Sequence, residues 1–257
     1  MNHDDDRSLQ PLGWPDLIEK IRARTPARVL VERSGAAYRT PTQLELRQAH
    51  AAARDAVRTE LDLERDMGAE FVQRWKLMEV STCARSKDEY LLRPDLGRRL
   101  SDDARQQLSG FPKHADLQVV IGDGLSVTAV AAQAPQLLPL IVEQSRSHEW
   151  VLGRPFAVRH CRVGVMNDIG EVLGPKVIVL LIGERPGLAT AESLSAYMAY
   201  QPGAGDTDAD RNLISNIHAR GVSCPAAAAR IANFAEQMLR SRISGTQLKE
   251  TFPKLSS

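Results

Sequence analysis

The apolar residues of this chain follow two different spacings. Between residues 40 and 59, Leu46, Ala49, Ala53, Ala56 and Val57 fall on one helical face, with Glu45, Arg47, Arg54 and Arg58 off it. Thr40-Pro41-Thr42-Gln43 opens this helix, because Thr40 can cap, proline suits the first turn and Gln43 can reach back to the cap. His50 sits at the edge of the stripe and reads as a partly buried ring. Ser86-Lys87-Asp88-Glu89 repeats the capping pattern ahead of Tyr90-Leu91-Leu92, and Ser101-Asp102-Asp103 marks a third helix start.

Farther along, short apolar runs alternate with turn residues and helical patterns, the order expected of βαβ units and a mainly parallel sheet. Residues 117 to 121 form a buried strand that stops at Gly122-Asp123-Gly124-Leu125-Ser126, where Ser126 caps a helix reaching about residue 145, interrupted at Pro135 and Pro139. Residues 156 to 165 read as a second strand and 176 to 182 as the most hydrophobic one. Each is followed by a polar loop: 166 to 170, then Gly183-Glu184-Arg185-Pro186-Gly187-Leu188. A helix is expected over 190 to 200. After the loop 201 to 210 come Arg211-Asn212-Leu213-Ile214-Ser215-Asn216-Ile217. A last helix is expected from about 225 to 243, with Ala228, Ile231, Ala235, Met238 and Leu239 as its stripe.

Composition sharpens the division. Residues 1–112 hold 19 basic and 19 acidic side chains but 5 glycines, whereas residues 113–257 hold 14, 13 and 12. The fold class expected is therefore α/β, with a helical amino-terminal domain over 1–112 and an α/β domain over 113–257, the boundary lying at the Ser-Gly-Phe-Pro turn near Gly110 to Lys113. At 257 residues the chain suits one large or two modest domains. A net charge of +1 gives no field to hold a polyanion, so nucleic acid is not an expected partner. Three scattered cysteines suit neither a disulfide framework nor a metal site and point to a reducing cytoplasm. The acidic start MNHDDDRSLQ does not look like a targeting signal, and no apolar run is long enough to span a bilayer, so no membrane partner is expected.

In an open α/β sheet, ligands bind beyond the carboxyl ends of the strands. The loops 122 to 126, 166 to 170 and 183 to 188 are expected there. Gly122 and Gly124 make a weak dinucleotide fingerprint, since Val127 stands at the third glycine position; the loop is either a tight turn or a ligand contact. Glu184 and Arg185 directly follow an apolar strand and are braced by Pro186 and Gly187. Glu184 can accept from a hydroxyl or an amide and Arg185 can meet a phosphate, a surface ion pair being the alternative. The sequence has no Walker loop, no HExxH and no GxSxG elbow. Adjacent His160 and Cys161 on a strand would face opposite ways. No catalytic set and no metal-ligand set is therefore expected.

Seven segments, in order, resemble the small (light) subunit of ethanolamine ammonia-lyase: TPARVLVERSG (25–35), PTQLELRQAHAAARDAV (41–57), YLLRPDLGRRL (90–100), DLQVVIGDGLSVTAV (116–130), RVGVMNDIGEVLG (162–174), VLLIGERPGLATAESLSAY (179–197) and SNIHARG (215–221). The resemblance implies a Rossmann-like carboxyl-terminal domain. It also implies adenosylcobalamin as cofactor, conversion of ethanolamine to acetaldehyde and ammonia, and a separate large subunit that holds the substrate and the radical chemistry. The small subunit would cover the nucleotide side of the cofactor, touching it at Val163, Glu184 and Leu213. Leu213 departs from the family's usual cysteine before Ile-Ser-Asn-Ile, so a sulfur role is in doubt there. No histidine follows an aspartate by two residues, so the Asp-x-His-x-x-Gly route to a histidine lower ligand is missing and a base-on cofactor is expected. The implied setting is a hetero-oligomer in the bacterial cytoplasm, with packaging in a bacterial microcompartment left open. Two rival readings are a stand-alone nucleotide-binding enzyme, which lacks a convincing fingerprint, and a microcompartment adaptor, for which residues 1 to 16 supply no amphipathic helix.

Overall fold

The computed structural model describes residues 14–25, 29–31 and 33–250, so the acidic amino-terminal stretch lies outside the described residues. Helix α1 (Trp14–Ala23) and a small hairpin of β1 (Arg33–Ser34) and β2 (Ala37–Tyr38) lead into α2 (Thr40–Arg58). Helices α3 (Leu63–Met67) and α4 (Ala69–Trp75) precede strand β3 (Glu79–Ser81), and α5 (Lys87–Leu92) and α6 (Asp102–Ser109) follow it. Then come β4 (Leu117–Gly122), α7 (Val127–Ser147), β5 (Phe156–Arg159), α8 (Val165–Leu173), β6 (Val177–Gly183), β7 (Leu194–Tyr200), β8 (Asn212–Ile217) and α9 (Cys224–Ser241). The sheet runs β3-β5-β4-β6-β7-β8: the first four strands are parallel, and β7 and β8 add antiparallel to β6 and to each other. This is the expected α/β class with a mainly parallel sheet.

Alternation along β6 shows why the sheet needs helices on both faces. Val177, Val179 and Leu181 pack with α7 and α9, and Ile178, Leu180 and Ile182 with α8 and α6. All seven residues of β6 are buried, and each such aliphatic side chain contributes about 1.5–3 kcal/mol. Residues from both sides of position 112 share these two cores: Leu61, Met67 and Leu77 lie in the first, and Val80, Leu100 and Leu108 in the second. Strand β3, from the charge-rich part, pairs with β5.

Three helix starts follow their capping residues, with Ser86, Ser101 and Ser126 accepting from Glu89, Ala104 and Ala129 N–H. α7 continues through Pro135 and Pro139, whereas α2 begins at Thr40 itself and makes no side-chain cap. His50 is exposed rather than partly buried.

Several expectations are corrected. Residues 194 to 200 are strand, not helix, because this run pairs residue for residue with β6 and is buried in the sheet. β5 ends at Arg159, where His160 takes a left-handed backbone (φ 56°), so residues 160 to 164 make the turn. The loop expected at 166 to 170 is therefore inside α8, whose buried Val165, Met166, Ile169 and Leu173 keep helical spacing.

Candidate functional site

At the carboxyl edge of the parallel strands lies a cavity of about 370 Å³. The turn after β5 gives it Cys161, Arg162 and Val163, and the end of β6 gives Ile182, Glu184 and Arg185. The antiparallel pair contributes Ser195 and Tyr197 from β7 and Leu213 and Ser215 from β8, while α5 contributes Tyr90. Val163, Glu184 and Leu213, drawn from three segments, thus line one cavity.

The edge is built by close backbone approach. Leu125 N–H donates to Gly183 O (3.0 Å), and a side chain at Gly183 would collide with the backbone of Ser126 and Asp123. Ser126 hydroxyl donates to Ala191 O (2.5 Å), so the loop after Glu184 is tied down on the start of α7. The loop 122 to 126 makes a turn at Gly124-Leu125, and these two residues also line the cavity. Asp123 is fully buried, accepting from Cys161 N–H (2.8 Å) and pairing with Lys87 Nζ (3.2 Å). Lys87 also donates to Gly124 O (3.3 Å). The Lys87–Asp123 pair is not part of the lining but supports it through Gly124 and Cys161, and so fixes the turn that carries Arg162 and Val163.

Glu184 is held firmly. Its Oε2 accepts from Ser193 hydroxyl (2.7 Å), and its Oε1 from Ser195 hydroxyl (2.6 Å) and Asn216 N–H (2.8 Å). A carboxylate has about four acceptor positions, so three partners leave roughly one for a ligand. Among the described residues Glu184 forms no ion pair with Arg185, its oxygens meeting Ser193, Ser195 and Asn216 instead, so the surface ion pair does not explain that loop. Leu213 is 43% exposed at the cavity rim, enough apolar surface to meet a ligand or a partner.

Of the remaining lining residues, Tyr90, Arg162, Ser195, Tyr197 and Ser215 were not singled out in the sequence as site residues. Tyr90 is buried and its hydroxyl donates to Cys161 O (3.0 Å). Burial, then the Asp123 carboxylate, pushes its phenol well above the ordinary range, with Arg162 and Arg185 pulling the other way. Burial also raises Tyr197, helped by Asp208 and Glu184. The Cys161 thiol is pushed far up by burial and by Asp123, so it stays protonated. His160 lies in the turn, not on the strand: Nδ1 faces Ala84 O (3.0 Å) and Nε2 faces Glu60 (3.0 Å), which makes it a structural ring. The sequence signal that could have found Ser193 and Ser195 is their two-residue spacing beside Glu184, but it has meaning only on a strand.

Chemically, the cavity offers one carboxylate acceptor, two guanidinium groups, hydroxyls and the apolar walls Leu125, Val163, Ile182 and Leu213. Among the described residues no group of three or more His, Cys, Asp or Glu side chains could hold a metal ion, and no described helix is long and apolar enough to cross a membrane. The fold and site define an α/β chain with a ligand-sized, polar-and-apolar cavity at its sheet edge.

The family model for the ethanolamine ammonia-lyase light chain matches residues 15–249. Among curated relatives, the ethanolamine ammonia-lyase small subunits of Clostridium tetani and Clostridioides difficile are 41% and 42% identical over 230 residues each, covering 90% and 89% of this chain and 76% of each relative. That of Clostridium acetobutylicum is 37% identical over 233 residues, covering 90% of this chain and 94% of the relative. This chain belongs to the ethanolamine ammonia-lyase small-subunit family.

Proposed function

We propose that this chain is the small subunit of an adenosylcobalamin-dependent ethanolamine ammonia-lyase, acting in ethanolamine breakdown in the bacterial cytoplasm or within a microcompartment there. It covers the nucleotide side of base-on cobalamin, and a separate large subunit holds ethanolamine and carries out the radical conversion to acetaldehyde and ammonia. The observation that carries this reading is the convergence of Val163, Glu184 and Leu213 on a single cavity.

The residues fit the nucleotide end of such a cofactor. That portion carries hydroxyl and amide donors, one phosphodiester and a flat apolar base, and the cavity offers an acceptor, cations and aliphatic walls. A cavity of about 370 Å³ suits this portion rather than the whole cofactor. When bound, cobalamin supplies a cobalt–carbon bond that breaks homolytically. In this chain Glu184 accepts a hydrogen bond from the ligand with the position its three internal partners leave free, while Val163 and Leu213 exclude water. Its own residues position and cover; none moves a proton in the reaction.

Co-expression with a candidate large subunit tests the reading. The isolated chain is expected to show no cobalamin-dependent acetaldehyde production, and the two chains together to show it. Turnover by the pure chain without a partner would overturn the assignment.

A further inference from the structure

We propose that Arg162 is the anion-binding group of this cavity and holds the phosphodiester of the cobalamin nucleotide. The inference rests on the reading that the cavity receives that nucleotide, and it adds which residue takes the charge.

Of the three described arginines whose buried Nε lacks an acceptor, Arg159, Arg162 and Arg211, Arg162 is the one without a carboxylate partner. Buried Arg211 pairs with Asp208 and donates to Asn167 (2.8 Å), and Arg159 pairs with Glu79 (2.7 Å). Among the described residues no carboxylate pairs with Arg162, although Glu184 lines the same cavity and spends its oxygens on Ser193, Ser195 and Asn216. Its Nε is buried with no acceptor, as are those of Arg159 and Arg211, so the missing carboxylate is what marks Arg162 among the three.

The side chain is nevertheless fixed in position. Its guanidinium carbon stands 4.3 Å from the centre of the Tyr90 ring, and that ring is anchored through its hydroxyl to Cys161 O. Its stem passes over Gly97, where a Cβ would come within 2.7 Å of Arg162 Cγ, and the Arg162 backbone N–H donates to Gly97 O (2.8 Å). The Tyr90 ring covers the guanidinium and Nε is buried, which leaves the two terminal N–H groups for a ligand. A flat fork of donors fixed this way matches two oxygens of a phosphodiester, which a lysine charge cannot reproduce. Exposed Arg185, across the same cavity, adds positive field at the mouth.

The test uses the assembled two-subunit protein and equilibrium binding followed by visible absorbance, with cobalamin compared against cobinamide, which has the corrin but lacks the phosphodiester, ribose and base. Wild type is expected to prefer cobalamin. Arg162→Met keeps the stem but removes the fork, and should weaken cobalamin roughly 10- to 100-fold while leaving cobinamide affinity within about twofold. Arg162→Lys should fall between the two. Should Arg162→Met not assemble, the lysine variant decides: a several-fold loss for cobalamin alone supports the proposal. An unchanged cobalamin preference in either variant overturns the role of Arg162 and leaves the cavity reading standing. Equal loss of both ligands also overturns it, since the phosphodiester is then not what Arg162 senses. Equal affinity of wild type for cobalamin and cobinamide would instead sink the cavity reading itself.

Discussion

The support behind the cavity and the cavity's wall both hold charges of opposite sign, and they use them in opposite ways. In the support, Lys87 and Asp123 are joined at 3.2 Å with side-chain exposures of 7% and 0%, and they also bond to Gly124 O and Cys161 N–H. On the wall, Glu184 and Arg162 share a cavity without pairing. A buried pair whose partners satisfy each other specifies the fold; a carboxylate and a guanidinium held apart, each with bonding capacity left over, specify a ligand. The contrast shows how one edge of a sheet can be rigid enough to position a site and still keep polar groups free for it.

The largest effect should follow from breaking the buried Lys87–Asp123 pair. Lys87→Met leaves the Asp123 carboxylate buried without its cation, and such a loss costs about 3–5 kcal/mol. Urea denaturation should show a midpoint far below wild type; a shift worth under about 1 kcal/mol, the usual worth of an exposed pair, would mean that the pair does not organise the edge. A smaller effect is expected on the wall. Ser195→Ala removes one of three donors to Glu184 and should cost about 1 kcal/mol of stability. The loss should come with little change in cobalamin affinity, because Asn216 and Ser193 still hold the carboxylate. A strong affinity loss from Ser195→Ala would place the serine itself against the ligand and blur the division between support and site.

Legibility in the sequence divides along the same sheet. The parallel half could be read because β4 and β6 are unbroken apolar runs with glycine after them, and because Ser86, Ser101 and Ser126 cap their helices. The antiparallel half could not. Leu194, Ala196, Met198 and Ala199 are good helix formers, and only pairing with the most apolar strand makes them β7; tertiary contact outweighs intrinsic preference there. β8 is a half-exposed edge strand with little pattern of its own. Glu184, Val163 and Leu213 were legible through the GERPGL loop and the family resemblance, and the structure draws them together. Arg162, Tyr90 and the serines around Glu184 were not, because each acquires its role from a neighbour distant in sequence: Arg162 from Tyr90, and Ser195 from Glu184. Composition changes at residue 112, but the packing crosses it, since a strand on the near side pairs with one on the far side.

The central claim is that the wall of this cavity binds cofactor and does not take part in bond breaking, and Glu184→Gln in the reconstituted enzyme tests it most directly. The substitution keeps the size of the side chain and removes the charged acceptor. The account predicts an apparent KM for adenosylcobalamin raised about 10-fold or more, with KM for ethanolamine and kcat at saturating cofactor little changed. An unchanged cofactor KM together with a large fall in kcat would contradict it and place Glu184 in the chemical reaction.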